Sequence, residues 1–207
     1  GLYLSSDYGE HWKNIASGTA ISGIGAASAT ISSDGQRLAV TDGSDIYGSS
    51  NAGSSWTKLT TGSLDGQAWY GLAASSDGKR ITAAVYSGDV YASDDYGATW
   101  TNQTAGSGES GLPWVFFQAS PTGQFLVGAI DNTVAGGGVY ASRDYGATWT
   151  NLTSGVTPSG QTWDYQVISA SGQYIFASSD GASANIYEWN DPSLQPPKPT
   201  LVNHTVN

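Results

Sequence analysis

Short apolar runs separated by polar turns make up most of this chain. The turns carry Asp-Gly or a related pair at 34–35, 77–78, 122–123 and 171–172, and apolar runs follow them at 38–40, 81–85, 125–130 and 174–177. Runs of this length, rich in β-branched and aromatic residues and bounded by Gly, Ser, Asp and Asn, are typical of β-strands. No stretch shows sustained helical periodicity. The pattern therefore predicts an all-β fold of antiparallel hairpins.

The pattern repeats along the chain with a nearly constant period. Five tyrosines, 44, 44, 49 and 47 residues apart, mark the copies: Tyr3, Tyr47, Tyr91, Tyr140 and Tyr187. In the first four copies an Asp or Asn follows the Tyr by four residues, a Gly by six and a Trp by nine: Asp7, Gly9 and Trp12; Asn51, Gly53 and Trp56; Asp95, Gly97 and Trp100; Asp144, Gly146 and Trp149. The fifth copy lacks the Gly and the final Trp. Such a repeat indicates an array of similar structural units.

One unit reads as strand, Gly turn, strand, loop, strand, a second turn that we call the box, and a strand that begins at its Trp. Four short antiparallel strands in 44–49 residues match the size of a propeller blade. The sequence predicts units near 1–16, 17–60, 61–104, 105–153 and 154–191, then a Pro-rich tail or linker at 192–207. Because open blades would expose sheet faces, we expect the C-terminal part of a larger propeller. The alternative is a closed four-bladed ring in which the strand after Trp12 completes the last unit.

The residues of the box have structural tasks in a tight turn. A turn leaves backbone N–H groups without ladder partners, and the Asp carboxylate can accept them. The Gly supplies a backbone conformation with positive φ, and the Trp buries a large ring as the outgoing strand begins. Asn51 fits this interpretation, because an amide oxygen can accept the same bonds. We therefore interpret the box as structural.

A second repeated tryptophan is the most interesting candidate for binding. Trp69, Trp114 and Trp163 each precede the Gly of the first turn by nine residues, where the first strand of a unit should begin. Aromatic side chains ringed around a propeller axis could stack on sugar rings or anchor a partner chain. The alternative is that each Trp wedges between adjacent blades.

Composition and charge exclude several classes of partner. The chain has a formal net charge of −10, with 17 Asp and Glu against seven scattered Lys and Arg, so it offers no footprint for nucleic acid. The absence of Cys excludes disulfides, and no cluster of Cys and His suggests a metal or other cofactor. No apolar run of about eighteen residues is present, so direct membrane insertion is not expected.

Catalytic and modification sites can be proposed only at scattered positions. An inverting glycosidase needs two facing carboxyl groups, and the acids nearest the repeated Trp are Asp65, Glu109 and Asp164. Solvated loop acids are the simpler interpretation. Sequons for N-glycosylation occur at three asparagines, Asn102, Asn151 and Asn203. They favour a secreted or cell-surface protein.

The box Ser-x-Asp-x-Gly-x-Thr-Trp, as in residues 93–100 and 142–149, resembles the Asp box, or bacterial neuraminidase repeat. This resemblance covers residues 1 to about 191. Similar repeats occur in sialidases, xyloglucan-active glycosidases, sortilin-type receptors and a photosystem assembly factor. The resemblance implies a propeller in which the box lies at the blade periphery, away from the ligand face. Sialidase activity is not expected, because the three arginines, Arg37, Arg80 and Arg143, are positions of the repeat.

Three functional hypotheses follow. The first is a non-catalytic extracellular propeller that binds a glycan or protein, or serves as a structural unit with other chains or further blades. The second is a propeller-type glycoside hydrolase that acts on a polysaccharide. The third is an organellar assembly factor.

Overall fold

The computed structural model describes residues 1–131, 137–154, 162–180, 185–190 and 200–202. The N-terminal hairpin consists of β1 (Tyr3–Leu4) and β2 (Lys13–Asn14). The first sheet contains β3 (Ser28–Ile31), β4 (Leu38–Thr41), β5 (Ile46–Ser49) and β6 (Thr57–Lys58). The second contains β7 (Trp69–Ala74), β8 (Ile81–Gly88), β9 (Val90–Ser93) and β10 (Thr101–Asn102). The third contains β11 (Leu112–Ala119), β12 (Leu126–Ile130), β13 (Gly138–Ser142) and β14 (Thr150–Asn151). The fourth contains β15 (Thr162–Ile168), β16 (Tyr174–Asp180), β17 (Asn185–Asn190) and β18 (Thr200–Val202).

Within each sheet the strands pair antiparallel in chain order, as the turn pattern predicted. The all-β prediction is therefore confirmed. The second and third sheets are also joined at one point, because the start of β11 pairs with the end of β8. A short 3-10 helix, Gly62–Leu64, lies in the connection between the first and second sheets. No helix in the described part of the chain is long and apolar enough to cross a membrane.

The fourth sheet is completed by a segment that the sequence predicted as a tail. Thr200–Val202 pairs with β17 through Ile186, Tyr187 and Glu188. Proline-rich composition suggested a linker throughout 192–207, yet three of its residues form a strand; residues 191–199 and 203–207 lie outside the described residues. The N-terminal strand β2 pairs with β1. In the described residues the strand after Trp12 therefore does not complete the last sheet, although the alternative of a closed four-bladed ring requires it to do so.

The hydrophobic core lies between successive sheets. We call the side of a sheet that carries its first-strand Trp the Trp face. The Trp face of the second sheet packs on Ala39 and Ile46 of the first. The Trp face of the third packs on a patch of the second that includes Ala73 and Val90. The third and fourth sheets share the largest cluster, with members Val127, Ala129, Val139, Ala141 and Leu152 facing Trp163, Ile175, Ala177, Tyr187 and Trp189. Each core is thus built by two neighbouring repeats.

The box hairpins have the hydrogen bonding that the sequence predicted. The Oδ1 of Asp95 accepts the backbone N–H of Thr99 at 2.8 Å, and its Oδ2 accepts the Thr99 hydroxyl at 2.6 Å. The Ser93 hydroxyl oxygen accepts the N–H of Gly97. Gly97 has a positive φ of 86°, and the preceding Tyr96 also adopts one, of 64°. Equivalent bonds hold the box of Asp144.

The degenerate last repeat replaces its missing box Trp with another residue. In the first sheet, the indole N–H of Trp56 donates to the carbonyl of Ile15 in the preceding hairpin. In the fourth sheet, the indole N–H of Trp189 donates to the carbonyl of Leu152, which occupies the equivalent place in its own repeat. Trp189 lies in β17, ahead of the position of a box Trp, and it is fully buried. The contact between neighbouring repeats is therefore kept without the box.

Candidate functional site

The three tryptophans predicted to bind a ligand are buried. Trp69 and Trp114 are 0% exposed and Trp163 is 4% exposed. The indole N–H of Trp114 donates to the backbone carbonyl of Glu109, and its ring contacts three other aromatic rings at centroid distances of 5.1–5.3 Å. Stacking on a sugar requires a free ring face, which these residues do not offer. The ligand-binding prediction for them is wrong, and the alternative of wedges between sheets is what the structure shows.

A β-bulge follows each of these tryptophans. The register of the first and second strands shifts between Trp69 and Gly71, between Trp114 and Phe116, and between Trp163 and Tyr165. The bulged residues are Tyr70, Val115 and Asp164. Bulges redirect side chains and often lie beside functional sites. Here the bulge allows the Trp to face the core while aromatic residues just after it reach the surface.

Three of these aromatic residues, together with Tyr86 of β8, form what we call the aromatic ridge: Tyr70, Tyr86, Phe116 and Tyr165. Tyr70, Phe116 and Tyr165 are 42%, 39% and 72% exposed. The rings pair, with centroids 5.9 Å apart for Tyr70 and Tyr86 and 5.7 Å apart for Phe116 and Tyr165. The ridge lies where the first strands of three sheets begin, and we call this the ridge end of the sheets. Sequence reasoning missed it, because only the buried Trp is strictly repeated.

An open cavity of about 300 Å³ lies along the same first strands. Residues 29–31 of β3, 72–74 of β7 and 117–119 of β11 line it. Many of these side chains are small, so the backbones of three innermost strands stand close to the cavity. In the described residues, β3 and β7 each pair with one strand, and on the other edge of β7 the N–H of Leu72 donates to the hydroxyl of Ser28. The remaining main-chain groups on these edges could pair with an extended segment of another chain.

The candidate catalytic acids lie in three different parts of the fold. Asp65 is bound by the ammonium group of Lys58 in the connection between the first two sheets. Glu109 lies in the next connection, where its backbone carbonyl holds Trp114. Asp164 occupies the bulge of β15, and its side chain lies outside the described residues. Nothing in this arrangement favours hydrolysis.

A buried carboxylate that sequence reasoning overlooked, Asp45, ties loops together at the ridge end. Lys58 bridges Asp45 and Asp65, and the hydroxyl of Thr60 also donates to Asp45 at 2.7 Å. Burial alone would raise the pKa of Asp45, but the hydrogen bonds from Lys58 and Thr60 outweigh it and lower that pKa. The same two carboxylates raise the pKa of Lys58. Asp45 is thirteen residues from Lys58 and fifteen from Thr60, so no local sequence motif predicts its partners.

The equivalent network in the next repeat uses a predicted glycosylation site. The Nδ2 of Asn102 donates to Asp89 at 2.7 Å, and the hydroxyl of Thr104, also part of the sequon, donates to the same carboxylate. Asn151 accepts the N–H and the hydroxyl of Thr153 in the third sheet. Asn203 lies outside the described residues. Since Nδ2 is the atom that carries an N-glycan, a glycan on Asn102 would leave this atom one N–H and place the sugar beside its bond to Asp89.

Charge is distributed unequally between the two ends of the sheets. Among the side chains that the structure describes, the ridge end carries one cation, Lys58, together with several acids: Asp42, Asp45, Asp65, Asp89, Glu109 and Asp131. The opposite end, with the boxes and Gly turns, mixes acids with Lys13, Arg37, Lys79, Arg80 and Arg143. Much of the net charge of −10 is therefore not balanced locally at the ridge end.

One exposed group in the described residues has metal-binding spacing. Ligand atoms of Asp7, Glu10 and His11 lie within 4.8 Å of one another. His11 donates its backbone N–H to Asp7 and pairs with it through Nδ1 at 2.6 Å. Thr99 makes the corresponding bonds in the box of Asp95. The arrangement is therefore that of the box turn, with His in the place of Thr.

No protein-family model and no curated protein sequence matches this chain. Its fold is similar to that of solved propeller structures. A GH74 xyloglucanase from Xanthomonas campestris aligns with a TM-score of 0.64 and 18% identity, over 97% of this chain and 35% of that one. The β-propeller domain of Cps50 (Swd1) from Myceliophteria thermophila aligns at 0.58 and 13%, over 79% and 51%. YCF48 bound to D1 peptide aligns at 0.58 and 14%, over 87% and 54%.

These likenesses show the fold alone, because all identities are below 25%. The chain is a β-propeller array, as predicted. It spans between about a third and about a half of the length of these proteins. An activity or partner of those proteins therefore does not pass to this chain by similarity.

Proposed function

We propose that this chain is a non-catalytic propeller module that binds a protein segment along the aromatic ridge and the adjoining cavity. The observation that carries the proposal is the exposure of Tyr70, Phe116 and Tyr165 near an open cavity that main-chain and polar groups line together with apolar side chains. Exposed aromatic side chains next to a concave site are the usual anchors of protein interfaces, since their burial on binding releases water from large rings. The first strands hold them on rigid backbone rather than on long loops.

A protein partner is favoured over a glycan by the site's surroundings. Apart from the Leu72 N–H, which donates to Ser28, the outer edges of β3 and β7 offer a regular run of main-chain groups, and an extended peptide can pair with such a run as an added strand. One solved structure of similar fold, YCF48, is bound to a peptide. Glycan binding stays as the alternative. Hydrolysis gains no support, because Lys58 binds Oδ1 of Asp65 and the candidate acids belong to separate parts of the fold. A secreted or cell-surface setting stays a prediction.

Selection with displayed random peptides, alongside a glycan array, tests this proposal. We expect the intact chain to enrich a peptide consensus, and we expect Phe116→Ser together with Tyr70→Ser to abolish the enrichment. Tyr8→Ser is the matched control, because Tyr8 is a fully exposed ring in the box of the N-terminal hairpin. Enrichment that survives the ridge variant would contradict the proposal. Retention on glycans, lost with the same variant, would favour the alternative.

A further inference from the structure

Tyr70 and Tyr86 present a pair of rings with an acid beside them. The Tyr86 hydroxyl donates to Oδ2 of Asp131 at 3.3 Å, which anchors the outer end of this ring. Tyr86 is half-buried against the sheet, and Tyr70, in the bulge, is the more exposed of the two. Aromatic faces carry negative electrostatic potential, and a carboxylate at the ring edge adds to it. The pair is therefore suited to a positive charge.

At the opposite end of the sheets, arginine side chains lie over two tyrosine rings. There the guanidinium of Arg37 lies 3.7 Å from the ring centroid of Tyr96, and that of Arg80 lies 4.1 Å from the centroid of Tyr145. Each Arg belongs to the sheet preceding the one that carries the Tyr. Among the described residues, no cation lies over Tyr70 or Tyr86. In the described part of the chain, two box-end tyrosines, Tyr96 and Tyr145, are thus covered by arginines of the chain itself, whereas Tyr70 and Tyr86 are not.

The charge at the ridge end points in the same direction. Its one described side-chain cation, Lys58, is already held between Asp45 and Asp65. The remaining acids there would attract a cationic partner and repel an acidic one, and this steers association most strongly at low salt.

From these three observations we propose that the partner places an arginine side chain over Tyr70 and Tyr86. This inference rests on the proposed function and specifies the chemistry of its partner: an extended peptide segment that carries a guanidinium group. A planar guanidinium stacks on an aromatic ring and donates several N–H groups to nearby carboxylates, whereas an ammonium group is more strongly hydrated. Arginine therefore fits this surface better than lysine.

The test uses three labelled peptides, Gly-Gly-Xaa-Gly-Gly-Xaa-Gly-Gly, in which Xaa is arginine, citrulline or glutamate. Citrulline keeps the size and shape of arginine and removes its charge. In fluorescence anisotropy we expect the arginine peptide to bind about tenfold more tightly than the citrulline peptide, as for a partly desolvated cation on a tyrosine ring. Raising the salt from about 50 mM to about 300 mM should reduce this advantage. The glutamate peptide should not bind measurably.

Two variants locate the effect. Tyr86→Leu, which keeps an apolar side chain but removes the ring, should abolish the advantage of arginine over citrulline, whereas Tyr86→Phe should keep most of it. Tyr8→Leu at the box end should leave it unchanged. Equal affinity for the arginine and citrulline peptides, or an advantage that Tyr86→Leu does not alter, would overturn the inference.

The outcome separates this inference from the proposed function. If the random library yields a neutral consensus that still depends on Phe116, the module binds peptides at the ridge and the arginine inference alone fails. If neither the library nor the arginine peptide depends on any ridge residue, the proposed function fails as well. Thermal unfolding of each variant shows whether it is folded before binding is measured.

Discussion

Replacement of Trp114 by alanine tests whether the first-strand tryptophans are wedges. The side chain is fully buried, and its ring is in contact with Phe117, Tyr140 and Trp149. Removing a buried Trp side chain costs about 3–5 kcal/mol, because the burial is lost and a cavity remains. The lost aromatic contacts, at about 0.5–1.5 kcal/mol each, place the expected loss toward the upper end. For a chain of this size, each kcal/mol lowers the Tm by about 2–4 °C.

The measurement is equilibrium unfolding in urea followed by far-UV circular dichroism, since removal of a Trp would also change the fluorescence. Trp12→Ala is the control: Trp12 is a box tryptophan of the same size, but it is 63% exposed. Its loss should cost less than about 1 kcal/mol. If Trp114→Ala were equally mild, the ring would not be a wedge, and a role in binding would have to be reconsidered. If the two variants differ as expected, the repeated tryptophan is explained by packing alone.

Three further predictions concern the networks and turns. Asn102→Asp should lower the free energy of unfolding by about 1–3 kcal/mol at pH 7, because a second carboxylate replaces the amide that donates to Asp89. Part of this stability should be regained at pH 4, and an unchanged urea midpoint at pH 7 would refute the prediction. Burial alone would raise the pKa of Asp144, but the hydrogen bonds from Thr148 in its box outweigh burial and lower that pKa. The stabilisation from Asp144 is therefore present above the ordinary carboxyl pKa and is lost as the pH falls through the lowered pKa. Asp144→Asn should flatten this acid limb of the curve of stability against pH. Gly35 and Gly172 both have positive φ, but only at Gly172 would a new Cβ lie 2.2 Å from a phenylalanine ring. Gly172→Ala should therefore lower the Tm more than Gly35→Ala does, and equal Tm values would contradict the packing described.

The period and the box turns could be predicted because their residues meet local demands. Asp95 serves backbone N–H groups within four residues, and Gly97 takes a positive φ within the same turn. Such interactions depend on sequence neighbours alone, so the spacing reveals them. The strand order followed from the same short connections. One backbone conformation in the box was not predicted: Tyr96 also adopts a positive φ, and a tyrosine gives no sequence signal for this.

The site itself could not be predicted, because it depends on which surfaces meet. Periodicity placed Trp114 on a first strand, but its burial is decided by the sheet before it. The bulge that turns Phe116 outward is visible only in the register of paired strands. The bridge from Lys58 to Asp45 joins residues thirteen positions apart, and the substitution of Trp189 for a box Trp joins β17 to the preceding repeat. These are contacts between units rather than properties of one.

A core that lies between sheets has a consequence for how such a chain can lengthen or shorten. No single repeat encloses its own hydrophobic interior, so each is stable only beside a neighbour, and unfolding should spread from one interface to the next. Loss of one whole period, for example residues 61–104, would uncover the face of the first sheet around Ala39 and Ile46. The Trp face of the third sheet, which holds Trp114, could then pack on it, and this contact would be of the same kind as those already present. Loss of half a period would leave one sheet with only part of its strands, and its packing on both neighbours would be incomplete. Gene duplication and deletion can therefore act on this architecture only in whole steps of about 44–49 residues, the period read from its tyrosines.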